Sequence, residues 1–155
     1  DFMLVVVFDS KRLINFSLHT GDPLTDDETD QIVSYIEKMA DGLAANPAVT
    51  ATTVVLVEAD TGPNAKQRKR IGEATKRLAR HNEVLVTSSA VVRAVMTAIR
   101  WFAADRTQRR NATFATYAEA RAWLVQNSAH GAEVYDAMLA EVRSRAGSPA
   151  RAERA

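Results

Sequence analysis

Two turns in this sequence carry side chains whose types and spacing could do chemistry. The first is Thr87-Ser88-Ser89, placed between the apolar run Val84-Leu85-Val86 and a stretch with apolar residues at three- and four-residue intervals. A Ser or Thr at such a junction caps a helix with its hydroxyl, and the free N–H groups of a helix start can hold an anion. The second is Asp60-Thr61-Gly62-Pro63-Asn64, between another apolar run and a basic segment. The ligand or phosphate-binding candidates are therefore Asp60, Thr61, Gly62, Asn64, Thr87, Ser88 and Ser89. Catalysis has no comparable set. A nucleophile needs a neighbouring base, and His19, His81 and His130 stand in no motif that brings them to either turn. The glycine-rich phosphate-loop patterns are absent. The acidic group Asp26, Asp27, Glu28 and Asp30 lacks the spacing of a calcium loop and reads as the first turn of a helix, where carboxylates complement the dipole. The sequence thus predicts no catalytic set, no metal site and no cofactor.

These turns must be positioned by the elements around them. Phe2 to Phe8 and Leu13 to Leu18 read as an antiparallel hairpin. Thr25, with Glu28 three residues on, opens a helix whose apolar face is Ile32, Val33, Ile36, Met39, Ala40 and Leu43, ending near Asn46-Pro47. Thr53 to Val57 is a third strand, and Asn64 to Arg80 a helix with a strongly basic outer face. The strand Val84 to Val86 leads through the Thr-Ser-Ser turn into a helix bearing Val91, Val92, Val95, Met96, Ile99 and Phe102. A basic loop from Asp105 to Asn111 precedes a brief strand, Thr113 to Ala115. Thr116 and Glu119 open a helix that packs Ala120, Trp123 and Leu124 inward, and a last helix runs from about Ala132 to Arg145. Strand–helix alternation after a hairpin implies crossover units. The fold class is α/β: a single domain with a small mixed, mainly parallel sheet of about five strands flanked by helices. The domain spans 1–127, an added C-terminal amphipathic helix 128–145, and a tail predicted to be disordered 146–155.

The chain has 155 residues, 46% hydrophobic and 25% charged, with no cysteine. That is enough for one core without staples, and it rules out disulfides and thiolate chemistry. It fits a reducing compartment, and a cytoplasmic location is expected. No apolar run is long enough to span a bilayer, and Phe2 to Phe8 is too short for a signal peptide. The net charge of +1 hides a split: residues 1–63 hold three basic and eleven acidic residues (−8), and 64–110 hold twelve basic and three acidic (+9).

The order of elements, together with VLVTSSAVVRAVMTAIRWF and TFATYAEARAWL, resembles the SpoIIAA-like, STAS-related proteins of bacteria over roughly residues 2–126. The resemblance implies a small mixed sheet flanked by helices and a non-enzymatic regulatory or protein-interaction module. It implies, as the alternative, a binding protein for a lipid or other apolar small ligand. Anti-anti-sigma members carry a phosphorylated Ser in an Asp-Ser-Ser-Gly-like motif where the third strand enters its helix. Here Ala65 and Lys66 stand at that place in VVLVEADTGPNAKQRKR, so the phospho-switch does not carry over.

Three surfaces follow for test. An apolar pocket would be lined by Val92, Met96, Trp101 and Trp123. A protein interface would use Lys66, Arg68, Lys69 and Arg70 on the basic helix, and Tyr135, Met138 and Val142 on the last one. A homo-oligomer is expected, with the acidic segment of one protomer meeting the basic segment of another. The basic helix has no interleaved aromatics for stacking bases, so nucleic acid is not the expected partner. An enzyme is the third and weakest reading.

Overall fold

Crossovers between parallel strands are right-handed, and in this chain that rule decides which helices cover which face. A computed structural model of the chain describes residues 3–21, 23–103 and 108–147, with the backbone alone at 3, 98–103 and 108–109. The strands are β1 (Met3–Asp9), β2 (Ile14–Thr20), β3 (Ala51–Glu58), β4 (Arg80–Val86) and β5 (Gln108–Phe114). The helices are α1 (Asp26–Ala45), α2 (Ala65–Thr75), α3 (Ala90–Ala103), α4 (Tyr117–Asn127) and α5 (Ala132–Arg145). The sheet has five strands in the order β1-β2-β3-β4-β5, with β1 antiparallel to β2 and the rest parallel. Each of the three crossovers advances one strand in the same direction. Their helices α1, α2 and α3 therefore lie side by side on one face, while α4 and α5 return across the other.

The register assigns the residues to each face. On the α4/α5 face, Val7, Ile14, Phe16, Leu18, Val54, Leu56, Val84 and Val86 meet Tyr117, Ala120, Leu124, Tyr135, Met138 and Val142 in one continuous apolar cluster. On the α1–α3 face the apolar packing is split. One cluster joins Leu13, Ile36, Met39, Leu43 and Leu78, and a second joins Val57, Leu85 and Val92. Gly42 permits the first: a Cβ there would stand 2.5 Å from Leu13 Cδ2.

Local signals explain most boundaries. Thr25 and Glu28 form a complete capping box at α1, Asn64 and Gln67 another at α2, and Thr116 caps α4. Two expectations are corrected. α2 ends at Thr75, not Arg80, and β4 begins at Arg80, so Arg80, His81, Asn82 and Glu83 are strand residues. Their polarity concealed this, but each of the first three has a partner inside the fold. Arg80 donates to the Val49 carbonyl (3.0 Å), His81 meets Thr53, and Asn82 donates to the Asn127 carbonyl (3.2 Å). β5 likewise starts at Gln108, inside the segment read as a basic loop, because it pairs along the whole of β4. The expected disordered tail lies, from residue 148, outside the described residues.

The charge split is resolved within one chain. Lys66 faces Asp26 (3.8 Å), Arg70 pairs with Asp30, and Arg77 faces Asp41 (3.5 Å), so acidic α1 and basic α2 match each other. Three residues of each segment are therefore matched within the protomer. The interface expected on the last helix is corrected. Tyr135, Met138 and Val142 are buried against their own sheet, at 0%, 7% and 0% exposure, and cannot face a second chain. Arg121 clamps Asp136 with contacts of 3.0 and 3.1 Å, and Tyr117 donates its hydroxyl to the same carboxylate (2.9 Å), tying α4 to α5. Among the described residues no helix is long and apolar enough to cross a membrane.

Tyr135→Ala should cost about 3–5 kcal/mol in urea unfolding, as an aromatic deleted from a filled core. Arg70→Ala should cost less than about 1 kcal/mol, as expected of exposed ion pairs. The reverse order would mean that charge, not burial, holds the helices on the sheet. The Arg121 hydrogen bonds hold the Asp136 carboxyl below its ordinary value of 3.8. Folding thus favours the ionised form, and this stabilisation is present above pH 3.8 and lost as pH falls through the lowered folded value. The stability gap between the wild type and Asp136→Asn should accordingly narrow in acid. A gap independent of pH would show that the Arg121 clamp adds nothing.

Candidate functional site

The carboxyl ends of parallel strands are where open α/β sheets place ligands, and two hollows of different character lie near them. The first is an open crevice of about 520 Å³ lined by Val57, Glu58, Ala59, Asp60, Thr87, Ser88 and Ser89. It brings together four of the seven candidates from the two turns. The remaining three have other placements. Asn64 caps α2, accepting from the Gln67 N–H at 2.9 Å, while the Gln67 amide reaches on to the Leu24 carbonyl at 2.8 Å. Gly62 packs under α3, where a Cβ would stand 3.2 Å from Val95 Cγ1. Thr61 is exposed.

The crevice is poorly suited to an anion. The Ser89 N–H donates to Thr87 Oγ1 (3.2 Å), Ser89 Oγ accepts from the Val92 N–H (3.3 Å), and Arg93 donates to the Thr87 carbonyl (2.9 Å). The turn is thus a helix cap in which the Thr87 and Ser89 hydroxyls are engaged, while Ser88 is exposed. The crevice wall carries the carboxylates of Glu58 and Asp60 and, among the described residues, no basic side chain. Glu58 pairs with the buried Arg143 of α5 on the far face.

The second hollow is a cavity of about 110 Å³ lying between the sheet and α1–α3. Its floor follows from strand alternation. In β2, Ile14, Phe16 and Leu18 face α4/α5, so Asn15, Ser17 and His19 must face the other helices, where all three are buried. The register sets Asn15 beside Thr53 and Thr53 beside Glu83, giving one polar row across three strands. His81 joins this row through a 2.8 Å hydrogen bond between its Nε2 and Thr53 Oγ1. The roof is apolar: Ile32 and Ile36 of α1, Ile71 of α2, and Val92 and Met96 of α3.

One atom stands out on that floor. Asn15 Oδ1 is fully buried and accepts no hydrogen bond among the described residues. An unsatisfied buried acceptor costs roughly 1–3 kcal/mol, so a Leu would be the cheaper residue here unless something else meets the amide. Ser17, 8% exposed, stands two residues on, on the same face of β2.

Of the expected apolar pocket, Val92 and Met96 line this cavity. Trp123 packs on the opposite face of the sheet, so it cannot share a cavity with them. The Trp101 side chain lies outside the described residues. Of the expected basic interface, Lys66 and Arg70 are engaged with α1, Arg68 donates to the Pro63 carbonyl (3.0 Å), and Lys69 is exposed. Among the described residues no group of three His, Cys, Asp or Glu side chains is placed to hold a metal ion.

Sequence reasoning missed Asn15, Ser17, His19, Thr53, His81 and Glu83. The signal was present in INFSLHT. Such alternation reads as a strand with one wet face, yet a strand flanked on both sides in a sheet covered by helices has no wet face. Compared with known proteins, the chain matches no family model, no curated protein and no solved structure.

Asn15→Leu should raise stability by about 1 kcal/mol in urea unfolding, as polar groups held for function commonly oppose stability. Leu124→Ala, on the filled face, should lower it by about 2–5 kcal/mol. A destabilised Asn15→Leu would show that the amide is a structural element.

Proposed function

We propose that this protein is a non-enzymatic cytoplasmic binding module of the SpoIIAA-like, STAS-related kind. In this reading its small-molecule ligand occupies the cavity between the sheet and α1–α3. The observation that carries the proposal is the buried Asn15 side-chain oxygen, without a hydrogen-bond partner among the described residues, on the floor of a cavity with a mainly apolar roof. A ligand supplies what the protein itself does not: a hydrogen bond to the floor and apolar contact with the roof.

The volume sets the scale. Sites for drug-sized ligands run from about 300 Å³ upward, and this one holds about 110 Å³. A long acyl chain exceeds it, which favours a small ligand over a lipid. The regulatory output follows from the architecture of α3. Val92 and Met96 form part of the roof, and the same helix begins at the Ser89 cap on the rim of the crevice. A ligand that shifts α3 reshapes the crevice, and a protein partner docking there would sense it. Both features that suggested self-association are internal to the chain, so the proposal invokes no oligomer.

Native mass spectrometry of freshly purified protein tests this reading. A small surplus mass that disappears on denaturation is expected, and its occupancy should fall about tenfold in Asn15→Leu. An apo mass, combined with no melting shift from any compound in a fragment set, would leave the cavity a packing defect and defeat the proposal.

A further inference from the structure

The cavity wall constrains its occupant beyond size. We infer that the ligand is a small uncharged molecule with a short apolar body and a single hydrogen-bonding edge, a hydroxyl or amide, that meets Asn15 and Ser17. This inference rests on the reading of the cavity as a ligand site.

Charge is excluded by what faces the space. Among the described residues the titratable groups on the wall are His19, His81 and Glu83, with no Lys or Arg. An anionic head would meet the Glu83 carboxylate. Among the described residues its only cation would be a histidine charged for the purpose, and His81 Nε2 is already hydrogen-bonded to Thr53. Among the described residues fatty acids and phosphates therefore find no fixed counter-charge here, and a buried carboxylate with none remains in water.

Water alone fits the space poorly. At roughly 30 Å³ each, three or four waters would fill it, and each needs about three polar partners. On the helix side Thr75 is the polar side chain among the described lining residues, and its hydroxyl donates to the Ile71 carbonyl; on the floor the Asn15 oxygen has no partner among the described residues, with Ser17 next to it on the same face of β2. Two neighbouring groups on one side of an apolar hollow match a molecule that is polar along one edge only. The volume is close to that of an apolar cavity that takes up benzene, about 150 Å³. The occupant then has roughly four to seven non-hydrogen atoms.

Phenol, benzene and octanoate are the probes, each titrated into the full chain and followed by calorimetry and by the methyl resonances of Val92 and Met96. Phenol should bind about tenfold more tightly than benzene, and octanoate should not bind. In Asn15→Leu the phenol advantage should vanish while benzene binding persists. Ser17→Ala is the second variant should Asn15→Leu not fold, and it should reduce the advantage several-fold. Equal affinities for phenol and benzene in the wild type would overturn the polar-edge assignment while leaving a binding cavity. Tighter binding of octanoate would overturn the exclusion of charge and restore an acyl ligand. No shift of the roof methyls with any probe would overturn both this inference and the proposed function.

Discussion

A strand in the interior of a sheet covered on both faces has nowhere to put a polar side chain except inside the protein. β2 is such a strand, and its sequence alternates strictly between apolar and polar residues. That conflict shapes the molecule. Because the crossovers all advance the same way, α1–α3 are committed to the face that receives Asn15, Ser17 and His19. The opposite face receives Ile14, Phe16 and Leu18 and closes into one apolar layer. The two halves of the core therefore differ in kind: one is filled and the other is hollow around a polar row.

Legibility followed the range of the interactions. Helix starts were readable because a cap and its partner are three residues apart, as at Thr25 with Glu28 and Thr116 with Glu119. The span of α5 was readable from its own stripe of apolar residues. β4 was not, because Arg80, His81 and Asn82 become strand residues through partners on β3 and in distant loops. The hollow was invisible for the same reason. Asn15, Thr53 and Glu83 are far apart in the chain and become neighbours only through register. The strand-end turns could be placed from sequence and do share a crevice, yet the Thr87 and Ser89 hydroxyls are taken up by backbone N–H groups of the turn and helix start. Residue type alone does not distinguish a hydroxyl committed to a backbone N–H from one open to a ligand.

The charge pattern teaches a related point. A chain with acidic and basic segments suggests two surfaces seeking partners. Here the segments become adjacent helices, and Asp26, Asp30 and Asp41 are answered by Lys66, Arg70 and Arg77. The pairs are exposed, so they add little stability. Their effect is to favour α1 and α2 as neighbours, since one helix is acidic and the other basic.

The two faces also differ in how they come apart. α4 and α5 are bound to the sheet by a continuous cluster and by the Tyr117–Asp136–Arg121 link between them. α1–α3 rest on two smaller apolar patches on either side of the hollow and are matched to one another through weak surface charges. Local opening follows the weakest packing, so the α1–α3 layer is a separate cooperative unit that loosens while sheet, α4 and α5 stay folded. A hollow beneath this layer is then widened whenever the layer breathes, and the lifetime of a bound molecule depends on how often that happens.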